Sequence, residues 1–97
     1  MCLMIVGICT IELYIPTSHS LKDKRRVVKS LIERVKNKFN VSIAEVDRQD
    51  NWQHAVLGMA TVSNESVHVR QTLNTITKFI ENNEDLSEVV NITTEIL

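Results

Sequence analysis

Two stretches of this chain are apolar at both alternations, and they limit its fold more than any other feature. In residues 3–9, Leu3, Ile5, Gly7 and Cys9 share one parity, and Met4, Val6 and Ile8 share the other. In residues 55–62, Ala55, Leu57 and Met59 fall on one side and Val56, Ala60 and Val62 on the other. A strand with one solvated face alternates apolar with polar residues, whereas a strand apolar on both sides sits inside a sheet with material against each face. The remaining sequence must therefore supply flanking strands and a covering layer.

It does so in a regular order. The first strand covers residues 3–14 and alternates from Thr10 onward, with Ile11 and Leu13 against Glu12 and Tyr14. Pro16-Thr17-Ser18-His19 is a loop, and a helix follows to about Phe39, with Val28, Leu31, Ile32, Val35 and Phe39 on one side. Asn40 is expected to take the left-handed conformation beyond its end. Residues 41–48 alternate as a second strand. The polar run Asp47-Arg48-Gln49-Asp50-Asn51 is a hairpin tip with room for a bulge, and residues 52–62 return. Ser63-Asn64-Glu65-Ser66 starts a second helix whose core stripe is Val69, Leu73, Ile76 and Ile80, and Asn82-Asn83 ends it. Residues 86–97, with Val89, Val90, Ile92 and Ile96, form the last strand.

The order is β-α-β-β-α-β. Right-handed crossovers place both helices on one face of a four-stranded antiparallel sheet, with the first and third strands central. This is the ferredoxin-like α+β arrangement, expected as one domain over residues 1–97. The central pair it demands is the pair that is apolar on both sides. If the helices cover one sheet face, the other keeps an apolar set from those strands, larger than monomers usually leave exposed. A homodimer closing through that face is expected, with Trp52 either at its rim or in the hairpin core.

Several function classes fall away. The apolar opening run is too short to cross a bilayer and lacks a basic leader, so a soluble, cytoplasmic chain is expected and no membrane partner. Cys2 and Cys9 differ in parity and make no disulfide framework. His19, His54 and His68 stand at no zinc spacing, so neither a metal nor a cofactor is expected. There is no Gly-rich phosphate loop and no nucleophile elbow.

The departure from a plain globular sequence lies in the first helix. Residues 22–38 hold eight of the eleven Lys and Arg against Asp23 and Glu33, a net +6, while the rest of the chain is −7. Ser20 is positioned to cap this helix, with Asp23 as a short-armed capping-box acid. Lys22, Arg25, Arg26, Lys29 and Lys36 fall opposite the core stripe. Lys22, Lys24, Arg25 and Arg26 crowd the first two turns, where the helix dipole favours acids and each cation costs about 0.3–1 kcal/mol at low salt. A solvated charged face is the ordinary reading of such a row. A phosphate-binding surface made of Ser20, Lys22, Lys24, Arg25, Arg26, Lys29 and Lys36 is the functional one.

The residues also resemble a known family. Met4-Ile5-Val6-Gly7, Ser20-Leu21-Lys22-Asp23-Lys24-Arg25-Arg26, Phe39-Asn40-Val41-Ser42-Ile43-Ala44-Glu45-Val46, and Trp52 with the small-residue strand after it are similar to the YlxP-like family of small uncharacterised bacterial proteins. Asp23 stands where that family more often has Glu. The resemblance implies a ferredoxin-like fold and no catalytic residues. The family's frequent gene neighbours, transcription and translation factors, imply a role near RNA or the ribosome.

Three readings then compete. An enzyme would draw on Glu45, Asp47, Asp50 and His54 around the hairpin, but turn carboxylates are ordinarily solvated. An RNA-binding module stacking bases on its sheet would need aromatics on the central strands, which carry aliphatic residues instead. RNA or a ribonucleoprotein is therefore expected to meet the basic helix through phosphates. A dimeric adaptor offering that helix to an acidic protein is the alternative. The sequence favours a non-enzymatic RNA-associated module.

Overall fold

The computed structural model describes residues 3–82 and 87–97. Its elements are β1 (Ile5–Tyr14), α1 (Leu21–Lys38), β2 (Ser42–Asp47), β3 (His54–Ser63), α2 (Ser66–Glu81) and β4 (Glu88–Ile96). The sheet is antiparallel in the order β2-β3-β1-β4, so the strands apolar at both parities are the central pair. The chain is an α+β protein with the ferredoxin-like topology expected from its sequence.

The helices cover one face. Cys9, Ile11 and Leu13 of β1 and Ala55, Leu57 and Met59 of β3 are buried there, against Val28, Leu31 and Val35 of α1 and Val69, Leu73, Ile76 and Ile80 of α2. The stripe assigned to α2 is wholly buried, as its spacing requires. Gly7 permits α2 to lie against β1, because a Cβ there would collide with Val69 and stand 3.0 Å from Leu73. On the opposite face no described element covers the strands. Val62 is 60% exposed there and Val46 is also open to solvent, while Met4, just before β1, is 71% exposed.

Two details differ from expectation. Asn40 takes no left-handed turn: Arg48 (φ 58°) is the one non-glycine residue with positive φ among those described. Phe39 is extended instead, its N–H donating to the Val35 carbonyl at 2.8 Å, and the reversal from α1 into β2 is made by bends at Phe39 and Asn40. Trp52 precedes β3, in a bend after the hairpin tip, and is exposed. The expected bulge is present, as the β2–β3 register shifts between Glu45 and Asp47. The extra residue, Val46, packs over Gly58, whose absent side chain makes the space. Asn83 and Leu86, assigned to a helix end and a strand start, lie outside the described residues, as does Cys2.

Candidate nucleic-acid interface

The start of α1 is capped by its own residues. Ser20 Oγ accepts the Asp23 N–H at 3.0 Å, and Asp23 Oδ2 accepts the His19 N–H at 3.1 Å. This is the expected capping box with the return bond taken one residue early. It has a consequence for anions. Ser20 is committed to the cap, and the carboxylate of Asp23 already stands at the positive end of the helix dipole. A phosphate approaching the helix tip would meet that charge, so any anion surface lies further along the helix flank.

Lys24 leaves the expected surface altogether. Its side chain is 0% exposed, and its ammonium lies 2.9 Å from Glu45 Oε2, 2.8 Å from the Arg48 carbonyl, 3.1 Å from that of Gln49 and 3.3 Å from that of His54. A buried ammonium is costly unless paired and hydrogen-bonded, and here four acceptors surround three N–H donors. Lys24 belongs to the core face of the helix: Lys24, Val28, Leu31 and Val35 are its buried residues, spaced i, i+4, i+7 and i+11. That spacing was the available signal, and the charge of the side chain masked it. Lys24 is a fastener between the first turn of α1 and the β2–β3 hairpin.

The other named cations remain outside. Lys22, Arg25, Arg26, Lys29 and Lys36 are exposed. Among the described residues none of the five belongs to an ion pair, the pairs being Lys24–Glu45 and a 3.9 Å contact between Arg48 and Glu12. Arg25, Lys29 and Lys36 line a groove of about 420 Å³ between α1 and the edge strand β2. Val28 and Ile32 give it apolar walls, and Glu33 and Glu45 contribute carboxylates.

The hairpin acids do not converge. Glu45 points to the helix side and is bound to Lys24. Asp47 is exposed and accepts the Arg48 N–H at 2.7 Å, which suits the left-handed backbone of Arg48, and Asp50 is exposed at the tip. His54 lies across from Tyr14, the two rings 5.1 Å apart between centroids, with Nδ1 buried and unpartnered. No group of three or more His, Cys, Asp or Glu suited to a metal occurs among the described residues. The Cys9 thiol is pushed up from its ordinary value by burial, partly opposed by a hydrogen bond from Thr94 at 3.6 Å. No described helix is long and apolar enough to cross a membrane.

Comparison with known proteins agrees with this architecture. A chain called De novo designed protein Foldit4 superposes with a TM-score of 0.52 at 19% identity, over 95% of this chain and 96% of that one, a likeness of fold alone. A putative antibiotic biosynthesis monooxygenase from Bacillus cereus covers 98% of this chain at 11% identity and a TM-score of 0.45, too distant to carry a functional reading. The Uncharacterized protein YlxP of Bacillus subtilis (strain 168) is 38% identical over 85 residues, covering 88% of this chain and 92% of that protein. Residues 6–94 match the family described as "Protein of unknown function (DUF503)". With that match spanning nearly the whole chain, this protein belongs to the DUF503 family, to which its resemblance to the YlxP-like proteins pointed.

Proposed function

We propose that this protein is a non-enzymatic, cytoplasmic binding module that associates with RNA or a ribonucleoprotein through the exposed flank of α1. The observation that supports the reading is the row Lys22, Arg25, Arg26, Lys29 and Lys36, solvent-facing and without ion-pair partners among the described residues. Folding accounts for Lys24, whose ammonium fastens the hairpin, and favours Lys36 in the last turn, but it supplies no such use for Lys22, Arg25, Arg26 and Lys29. Cations so placed repel one another, and phosphates along the flank relieve that repulsion while releasing counterions. A second copy of the chain closes on the open sheet face, where Val46 and Val62 are exposed.

The test is a titration of labelled ribosomal RNA fragments at several salt concentrations. Log affinity should fall with log salt at a slope of roughly −0.7 to −0.9 per phosphate contacted. Replacing Arg25, Arg26 and Lys29 together with Gln should weaken binding and flatten the slope. Equal affinity for the two proteins, or no wild-type binding at low salt, would overturn the reading. An adaptor function toward an acidic protein would then take precedence, supported by the apolar walls of the α1–β2 groove.

A further inference from the structure

We propose that the groove between α1 and β2 is a base-reading site that seats one unpaired nucleobase bearing an exocyclic amino group, adenine, cytosine or guanine, from a single-stranded RNA. This rests on the RNA reading above and goes beyond it, since phosphate contacts along a helix carry affinity without sequence.

Three features of the groove meet at one place. Arg25, Lys29 and Lys36, against the one exposed carboxylate of Glu33, form a mainly cationic rim that complements the phosphates flanking a base. Val28 and Ile32 present an apolar wall suited to the face of a base rather than to its charged backbone. Glu45 stands at the strand side, 17% exposed, with one carboxylate oxygen held at 2.9 Å by the buried Lys24. Glu45 is among the groove's lining residues, and no other hydrogen bond to its carboxylate occurs among the described residues, which leaves it acceptor capacity.

A fixed carboxylate accepts a hydrogen bond from an exocyclic amino group and has nothing to offer a carbonyl, the logic by which acidic side chains accept from the cytosine amino group. Uracil has no amino group, and its one ring donor, N3–H, lies between two carbonyl oxygens that would face the carboxylate with repulsion. The Lys24 contact matters here, because an acid free to swing would select little. β2 is also an edge strand, so one side of its backbone has no strand partner and is open to the edge of a seated base. A duplex keeps its bases stacked inside and cannot fill an apolar-walled groove, which makes the favoured ligand single-stranded.

The experiment compares eight-nucleotide oligo(A), oligo(C) and oligo(U) with an RNA hairpin, by fluorescence titration at one salt concentration. The variants are Ile32→Lys and Glu45→Gln. Wild type should bind oligo(A) or oligo(C) roughly tenfold more tightly than oligo(U), the scale of one hydrogen bond to a charged group. Ile32→Lys fills the groove while adding positive charge, so it should abolish that preference without weakening hairpin binding. Glu45→Gln, whose amide both donates and accepts, should narrow the gap between the oligomers. Its melting temperature is measured alongside, and Ile32→Lys decides the matter if Glu45→Gln unfolds. Tight but indiscriminate wild-type binding, or a preference unchanged in Ile32→Lys, would overturn the base-reading site and leave the phosphate-binding flank in place. No RNA binding at low salt would overturn both. A poly-glutamate peptide bound in the groove, with no preference among oligonucleotides, would assign it to a protein segment instead.

Discussion

The ammonium of Lys24 lies 2.9 Å from Glu45 Oε2 in a fully buried position, so a residue from the most basic stretch of the chain joins the helix layer to the hairpin. The carbonyls of Arg48, Gln49 and His54 complete its shell, which ties the tip of β2–β3 to the first turn of α1. Charge of the same kind one position later, at Arg25, faces solvent. Adjacent cations on one helix therefore do opposite things.

Lys24→Met removes the cation but leaves a carboxylate and three carbonyls facing an apolar side chain. We expect a loss of about 3–5 kcal/mol in urea denaturation, as when one partner of a buried pair is deleted. The double replacement Lys24→Met with Glu45→Met should cost less than the sum of the single changes. A single-variant loss below about 1 kcal/mol would show that the fastener is dispensable.

Replacing Arg25, Arg26 and Lys29 with Gln should leave the fold as stable or slightly more so, since Arg25 and Arg26 stand near the dipole's positive end, where a cation costs at most about 0.3–1 kcal/mol at low salt, and loss of Lys29 relieves repulsion along the row. The Tm of the triple variant in low salt is the measurement. A fall of several degrees would assign these residues a structural role.

Gly7→Ala places a methyl group against Val69 and Leu73 on α2. Overpacking of this sort costs about 1–3 kcal/mol. Unchanged stability by thermal denaturation would mean that α2 can withdraw from β1 freely.

Cys9 is 1% exposed and its thiol is raised by burial, with the Thr94 hydroxyl pulling the other way. In the unfolded chain the thiol ionises near its ordinary value, 9.0, while the folded protein still holds the proton. The unfolded state then binds fewer protons, so this group's contribution is complete below that value and is lost as pH rises through the folded pKa. In a Cys2→Ser background, Cys9 should resist alkylation at pH 8 and react once denaturant is added. Rapid modification of the native protein would contradict its burial.

The apolar residues of the open sheet face should hold a homodimer at micromolar concentration in sedimentation, and Val62→Lys should dissociate it. A wild-type monomer would show that this surface remains solvated or is covered from outside the described residues.

The sequence by itself determined the six elements, their order and the central strand pair. Period and parity are local properties: a helical stripe such as Val69, Leu73, Ile76 and Ile80, or an apolar run at both alternations, has few ways to bury itself. It also determined the Ser20–Asp23 cap, whose partners lie within four residues of one another. Only the tertiary structure decided where Lys24 points, because its acceptors come from residues 45–54 and meet it only once the hairpin folds back beneath α1. The same long-range packing decided that Glu45 belongs to a buried ion pair rather than to a cluster with Asp47 and His54. An isolated helix would leave every one of its cations in water; a helix laid on a sheet beside unpaired carbonyls draws one of them in.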